Sequence, residues 1–210
     1  MKRFSIITEA DARVLEPGAT VELLPGGHVT PLALDTLRDR RVTVVHLDGS
    51  DAPALASLAP PAEIRTVAIA SDHTGLALKR MLVERLRGKG LRVLDLGTDS
   101  TDPVDYPDTA AAVARTVAHG ECEAGIAIDG AGIGSAIVAN KVKGVRAAVG
   151  GNPTLARYAR EHNGANVLTL GSTLVSLDEA GTIVDVFLTT AMTEPRYMRR
   201  LLKVRQVEQA

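Results

Sequence analysis

The chain has 210 residues, with 24 Lys and Arg against 25 Asp and Glu, so its formal net charge of −1 offers no global field for nucleic acid or an anionic membrane. A hydrophobic content of 45% with 23% charged residues describes a folded globule rather than a disordered chain, and two Phe, three Tyr and no Trp leave almost nothing on which single-stranded bases could stack. The single cysteine, Cys122, excludes an intramolecular disulfide and a cysteine-based zinc site, and no run approaches the roughly 20 apolar residues of a membrane span.

The N-terminus, MKRFSIITEADARV, is charged too early and too often for a secretory leader, which together with the lone cysteine predicts a cytoplasmic protein. Thr8-Glu-Ala-Asp11 has the pattern of a capping box opening a helix. Residues 19–24 (ATVELL) read as a short strand, and Pro25-Gly26-Gly27 as a turn. Thr30-Pro31 places a cap and a first-turn proline ahead of a second helix, LALDTLRDR. Residues 42–47 (VTVVHL) close this module as a buried strand. His28 and His46 stand in no ligand-like spacing and are expected to be structural. Residues 48–65 carry Pro53, Pro60 and Pro61 among small residues and read as a linker. The expected organisation is a small α/β module over 1–47, a linker over 48–65 and a main domain over 66–210.

After the linker, strand and helix alternate. Residues 66–71 (TVAIAS) are an apolar strand, and Leu78, Met81, Leu82 and Leu86 recur with the spacing of one helix face. Strands follow at 91–97, 124–129, 145–150 and 166–171. Helices are expected over 108–119, from the glycine-rich loop through Lys141, over 153–162 and over 177–190. Five nearly continuous apolar strands separated by helices imply a doubly wound, Rossmann-like parallel sheet covered on both faces. Ligands of such sheets sit beyond the carboxyl ends of the strands.

Three clusters stand out. The first strand runs into Ser71-Asp72-His73-Thr74-Gly75, where Asp72 is equally suited to capping the helix and to contacting a ligand. The third strand ends in Asp129 and opens into Gly130-Ala131-Gly132-Ile133-Gly134-Ser135, whose backbone N–H groups could face an anion. This loop is not the GxGxxG of a dinucleotide site, which argues against a nucleotide-dependent oxidoreductase. Further on, His162 and Asn163 end a helix, and Arg196 and Arg200 lie four apart. The two arginines fit either a solvated basic face or a phosphate clamp.

These segments together resemble the ribose-5-phosphate isomerase B and galactose-6-phosphate isomerase family. The matching pieces are SDHTG (71–75), LGT (96–98), DYPD (105–108), the GAGIGS loop, ANKVKGVRAAV (139–149), REHNGANVLTLG (160–171) and the pair Arg196 and Arg200. The resemblance implies an aldose–ketose isomerase of a sugar phosphate that works through an enediolate without metal or cofactor. It also implies a homodimer or homotetramer whose active sites are shared between subunits. By position, Asp72, His73 and Tyr106 would line the pocket, His162 would open the sugar ring and Asn163 would touch the sugar. Arg196 and Arg200 would hold the phosphate. The amides of Gly130, Gly132, Ile133 and Gly134 would stabilise the enediolate.

The base is expected at Asp129, where many relatives carry Cys, and desolvation is expected to raise its pKa. Three further departures are Ala131 for a hydroxyl residue, Thr173 for an arginine and Tyr197 for a histidine. A catalytically weak or partner-requiring sugar-phosphate-binding subunit is the alternative reading. The stretch 26–45 of the N-terminal module faintly resembles segments attached to enzymes of bacterial microcompartments, which implies an assembly role.

Overall fold

The computed structural model describes residues 2–46, 59–61, 63–192 and 195–209. The chain divides into two compact units, Met1–Ser57 and Leu58–Ala210. Most of the expected linker falls outside the described residues.

In the first unit β1 (Arg3–Ile7), α1 (Glu9–Arg13), β2 (Thr20–Val29), α2 (Pro31–Asp39) and β3 (Thr43–His46) form a parallel sheet in the order β1-β2-β3. The capping box forms as its residues imply: the Asp11 carboxylate accepts the Thr8 N–H at 2.9 Å, and Thr8 Oγ1 accepts the Asp11 N–H at 3.4 Å. Ile7, Ala12, Leu15, Val21, Leu23, Ala33 and Leu37 make a separate small core.

Two expectations fail in this unit. Strand β1 has no counterpart in the sequence reading, because only Ile7 among its residues is buried and the segment carries no apolar run. Pro25-Gly26-Gly27 is no turn between elements. It is an irregularity inside β2, across which pairing to β1 jumps from Phe4↔Leu23 to Ile6↔His28.

The second unit contains β4 (Thr66–Ser71), a 3₁₀ turn (His73–Gly75), α3 (Leu76–Gly88), β5 (Arg92–Asp95), α4 (Tyr106–Ala118) and β6 (Ala124–Asp129). It continues through α5 (Ile133–Ala139), β7 (Ala147–Val149), α6 (Pro153–Asn163), β8 (Val167–Gly171), α7 (Leu177–Thr189) and α8 (Pro195–Gln209). All five strands are parallel, in the order β5-β4-β6-β8-β7. The doubly wound Rossmann-like sheet therefore stands as read from the sequence.

The two faces of this sheet differ in kind. Toward α3, α6 and α7 the strands present Val67, Ile69, Ile126, Ile128, Leu168 and Leu170, which pack with Leu82, Leu86, Ile183 and Phe187. Toward α4 and α5 they present Ala68, Ala70, Ala127 and Gly125, so those helices come closer to the backbone. A Cβ added to Gly125 would lie 2.5 Å from Val113 Cγ1 and 3.0 Å from Val117 Cγ2, both on α4. Gly125→Ala should therefore overpack this layer and cost about 1–3 kcal/mol, read as a lower denaturation midpoint with an unchanged urea slope.

Candidate active site

Strands β4, β6 and β8 end side by side, and each delivers polar groups to the same mouth. Asp72 N–H donates to Ile128 O at 3.0 Å, and Ser172 N–H donates to Asp129 O at 2.8 Å. The ladder thus holds the three strand ends in step. Asp72 is 6% exposed, and its Oδ1 accepts from Thr74 N at 2.9 Å, Thr74 Oγ1 at 2.6 Å and Gly75 N at 3.1 Å. It caps the 3₁₀ turn, as its residue type suggests. His73 Nδ1 accepts the Val104 N–H at 3.3 Å, which leaves Nε2 as the nitrogen able to carry the proton. Thr74 Oγ1 also lies 3.2 Å from Ser172 Oγ, tying the loop after β4 to the loop after β8.

Tyr106 opens α4, and its ring covers Gly134: a Cβ there would fall 2.5 Å from the ring. A side chain at Gly134 is excluded for that reason. The loop before Tyr106 is held from below by Lys79, a fully buried lysine of α3. Its Nζ sits 2.5 Å from Asp95 Oδ1 and 3.2 Å from Asp99 Oδ1.

The environment of Asp129 differs from expectation. This carboxylate is 5% exposed and both of its oxygens are occupied. Oδ1 accepts from Ala131 N at 2.8 Å and from Gly132 N, and Oδ2 accepts from Ser135 N at 2.8 Å. Burial raises its pKa, but the nearby Ser135 hydroxyl and the N–H groups of Ser135, Gly132 and Ala131 outweigh that and hold it below its ordinary value. The Ser135 Oγ is itself buried without an aligned hydrogen-bond partner. The expected upward shift is thereby corrected, since desolvation acts but backbone donors win.

The same bonds correct the expected oxyanion donors, because the Gly132 amide already serves Asp129. Among the described residues, the N–H groups of Gly130, Ile133 and Gly134 have no recorded acceptor. Thr173 Oγ1 donates to Gly130 O at 2.6 Å and Thr169 Oγ1 to Gly132 O at 2.7 Å, so the loop's carbonyls point away from its anion-facing amides.

The remaining candidates lie elsewhere. His162 and Asn163 end α6, and with Arg200 of α8 they line a cleft of about 250 Å³ that also takes Asn140, Arg146 and Ala165. Arg146 directly precedes β7 and Ala165 lies two residues before β8, so this cleft sits at the amino-terminal edge of the sheet. Asp72 and Asp129 sit at the carboxyl-terminal edge. Within the single chain these two groups are not brought together. The side chain of Arg196 lies outside the described residues.

The His162 ring stacks on Tyr158 (centroids 4.6 Å apart, 14° between planes) and lies 4.4 Å from the Tyr197 ring. Arg146 Nε donates to Gly164 O at 2.8 Å, and burial holds its pKa below the ordinary guanidinium value. The sequence reading assigned no role to Arg146 or Asn140. A cation set in the apolar run VRAAV was the available signal, since buried arginines are uncommon. Among the described residues, no group of three or more His, Cys, Asp and Glu is placed to hold a metal ion, and no helix is long and apolar enough to cross a membrane.

Residues 67–204 match the model of the ribose/galactose isomerase family. This chain belongs to that family. Ribose-5-phosphate isomerase B of Escherichia coli (strain K12) is 40% identical over 146 residues, which is 70% of this chain and 98% of the relative. The structure of ribose-5-phosphate isomerase B from Clostridium thermocellum superposes with a TM-score of 0.67 at 45% identity, covering 69% of this chain and 97% of that one. The Mycoplasma genitalium ribose-5-phosphate isomerase B, solved with bound ribulose-5-phosphate, gives 0.66 at 42% identity, covering 69% and 96%. The match spans nearly the whole of each relative and leaves the N-terminal unit of this chain outside it.

The Asp129 cage has a pH consequence. A folded pKa below the unfolded value stabilises the protein above the unfolded pKa, about 3.9, and that contribution is lost as pH falls through the folded value. Asp129→Asn cannot accept from both sides, since its amide NH₂ must face a backbone N–H. The variant should lose about 1–3 kcal/mol at pH 6. The gap in melting temperature between the two proteins should narrow below about pH 4, as thermal scans from pH 6 to pH 3 would show.

Proposed function

We propose that this chain interconverts an aldose phosphate and its ketose, with ribose 5-phosphate and ribulose 5-phosphate as the first pair, through an enediolate. Membership of the isomerase family supports the reaction class. The relative solved with ribulose-5-phosphate, 42% identical with 96% of its length covered, carries the choice of a pentose phosphate.

The residues supply the required functions. Asp72, His73 and Tyr106 surround the mouth at the strand ends, and the Gly130, Ile133 and Gly134 amides are the loop donors left for a developing oxyanion. His162 opens the furanose ring, Asn163 holds a sugar hydroxyl, and Arg200 with Arg196 receives the phosphate dianion. Asp72, His73 and Tyr106 lie at the carboxyl edge of one protomer's sheet, and His162, Asn163 and Arg200 at its amino edge. The working site is therefore proposed to form between subunits of a homodimer or homotetramer, with the cleft of one copy facing the mouth of the next. The protein acts in the cytoplasm, without a cofactor.

The assay is turnover of ribose 5-phosphate and a panel of pentose and hexose phosphates by the purified chain. Arg200→Ala should raise KM by at least about tenfold, with kcat less affected, as expected for loss of a charge-assisted bond to a phosphate. An unchanged KM would remove Arg200 from the phosphate site.

The caged, low-pKa Asp129 favours one second reading, that of a subunit which binds sugar phosphates but needs a partner to turn them over. Binding without turnover by the homo-oligomer would select it. The N-terminal unit is proposed to serve assembly, including docking within a bacterial microcompartment. Unchanged oligomerisation, activity and localisation after removal of residues 1–62 would exclude that role.

A further inference from the structure

Two carboxylates stand at neighbouring strand ends, and they differ in what their oxygens are doing. Ser71 pairs with Ile128 in the parallel ladder, so Asp72, just after β4, and Asp129, the last residue of β6, are the next residues in step. Asp129 spends Oδ1 on two N–H donors and Oδ2 on a third. Taking up a substrate proton would set an O–H against that donor set, and the three bonds to an anion would weaken together.

Asp72 is arranged otherwise. Its three donors, Thr74 N, Thr74 Oγ1 and Gly75 N, all converge on Oδ1, and Oδ2 bonds to no described residue. Oδ2 is also not among the described polar atoms buried without a partner, so it keeps contact with solvent. The carboxylate is thus fixed through one oxygen and free at the other, the arrangement a general base requires. Open space adjoins it: a Cβ built on Gly130, across from Thr74, would have only Thr74 Oγ1 within 4 Å, at 3.9 Å.

We propose that Asp72, through Oδ2, is the group that moves the proton between C2 and C1, and that Asp129 is a positioning residue that fills and fixes the loop of amides. The proposal rests on the isomerase reading above. In the aldose-to-ketose direction Oδ2 takes the C2 proton, and the electron pair of the broken C–H bond forms the C1=C2 double bond. The carbonyl π pair moves to O1. The hydroxyl proton of O2 passes to O1, the C2=O bond forms, and the Asp72 carboxylic acid returns its proton to C1. Atoms and charge balance with no external reactant.

The substitution needed to test this leaves the local fold in place. Asparagine caps a helical turn about as well as aspartate and keeps an acceptor for Thr74 N and Gly75 N, while removing the basic oxygen. The probe is ribulose 5-phosphate in D₂O, with deuterium wash-in at C1 followed by NMR and binding followed by calorimetry. This ketose cannot close a furanose ring onto its phosphorylated O5, so exchange at C1 reports proton transfer without ring opening. Asp72→Asn should lose exchange by at least about a hundredfold, the range of a general base, while binding stays within about tenfold. Asp129→Asn should melt earlier yet lose no more than about tenfold of exchange below its melting transition.

Near-wild-type exchange by Asp72→Asn would overturn the proposal. So would exchange abolished in a folded Asp129→Asn, which would make Asp129 the base. Binding without exchange by the wild-type chain would overturn the isomerase reading itself, and the role of Asp72 with it.

Discussion

A negative charge at the end of a fully buried strand is the constraint around which the site is organised. Every residue of β6 is buried, and the last of them is Asp129. A carboxylate in that position must be neutralised by protonation or supplied with donors. The chain supplies donors by reversing direction over Gly130-Ala131-Gly132, with Gly132 in the left-handed region at φ 75°, so that successive amides converge on the side chain. A Cβ at Gly132 would meet Leu170 C at 2.9 Å, and one at Gly171 would meet Ala131 C at 2.7 Å. The loop is therefore pressed against β8, and both glycines are set by that approach. Thr169 and Thr173 then bind the loop's carbonyls, which fixes the orientation of the remaining amides.

This arrangement exchanges one use of the loop for another. Amides at a helix start can stabilise an anion that arrives with substrate or one that belongs to the protein. Asp129 takes three of them permanently. A neutral side chain in its place would leave those donors for a developing oxyanion, at the cost of the cage that holds the loop when the site is empty. The fixed loop and the three amides withheld from an incoming anion are two results of one carboxylate.

Much of the fold was legible because burial on both faces leaves a plain signature. TVAIAS and AGIAID are continuous apolar runs, and β4 and β6 form over those residues. β1 was not legible, since RFSII is mostly exposed and its strand character comes from pairing with β2. The Pro25-Gly26-Gly27 irregularity carries turn residues, and only pairing on both sides shows that the strand continues. At the site, residue types pointed to Asp72, Asp129 and His162, but charge state did not follow from type. Desolvation of Asp129 was foreseeable. The opposing hydrogen bonds depend on the direction of three peptide planes, which sequence spacing does not encode. Arg146 was missed because it sits in a run that reads as strand.

Topology also explains why half of the candidate residues lie far from the other half. In a parallel sheet each helix returns the chain from the carboxyl edge to the amino edge, so residues at strand ends and residues at helix ends are sorted to opposite sides. Asp72, His73 and Asp129 follow strands, whereas His162 and Asn163 end α6 and Arg200 lies on α8, which packs against it. No loop adjustment within one chain carries a side chain along the full length of the strands from one edge of the sheet to the other. This sorting is the ground for proposing a site shared between copies of the chain. The stacked ring of His162, held between Tyr158 on its own helix and Tyr197 on α8, suits that division. It keeps the imidazole fixed at the amino-terminal edge of the sheet, opposite the edge that carries Asp72 and Asp129.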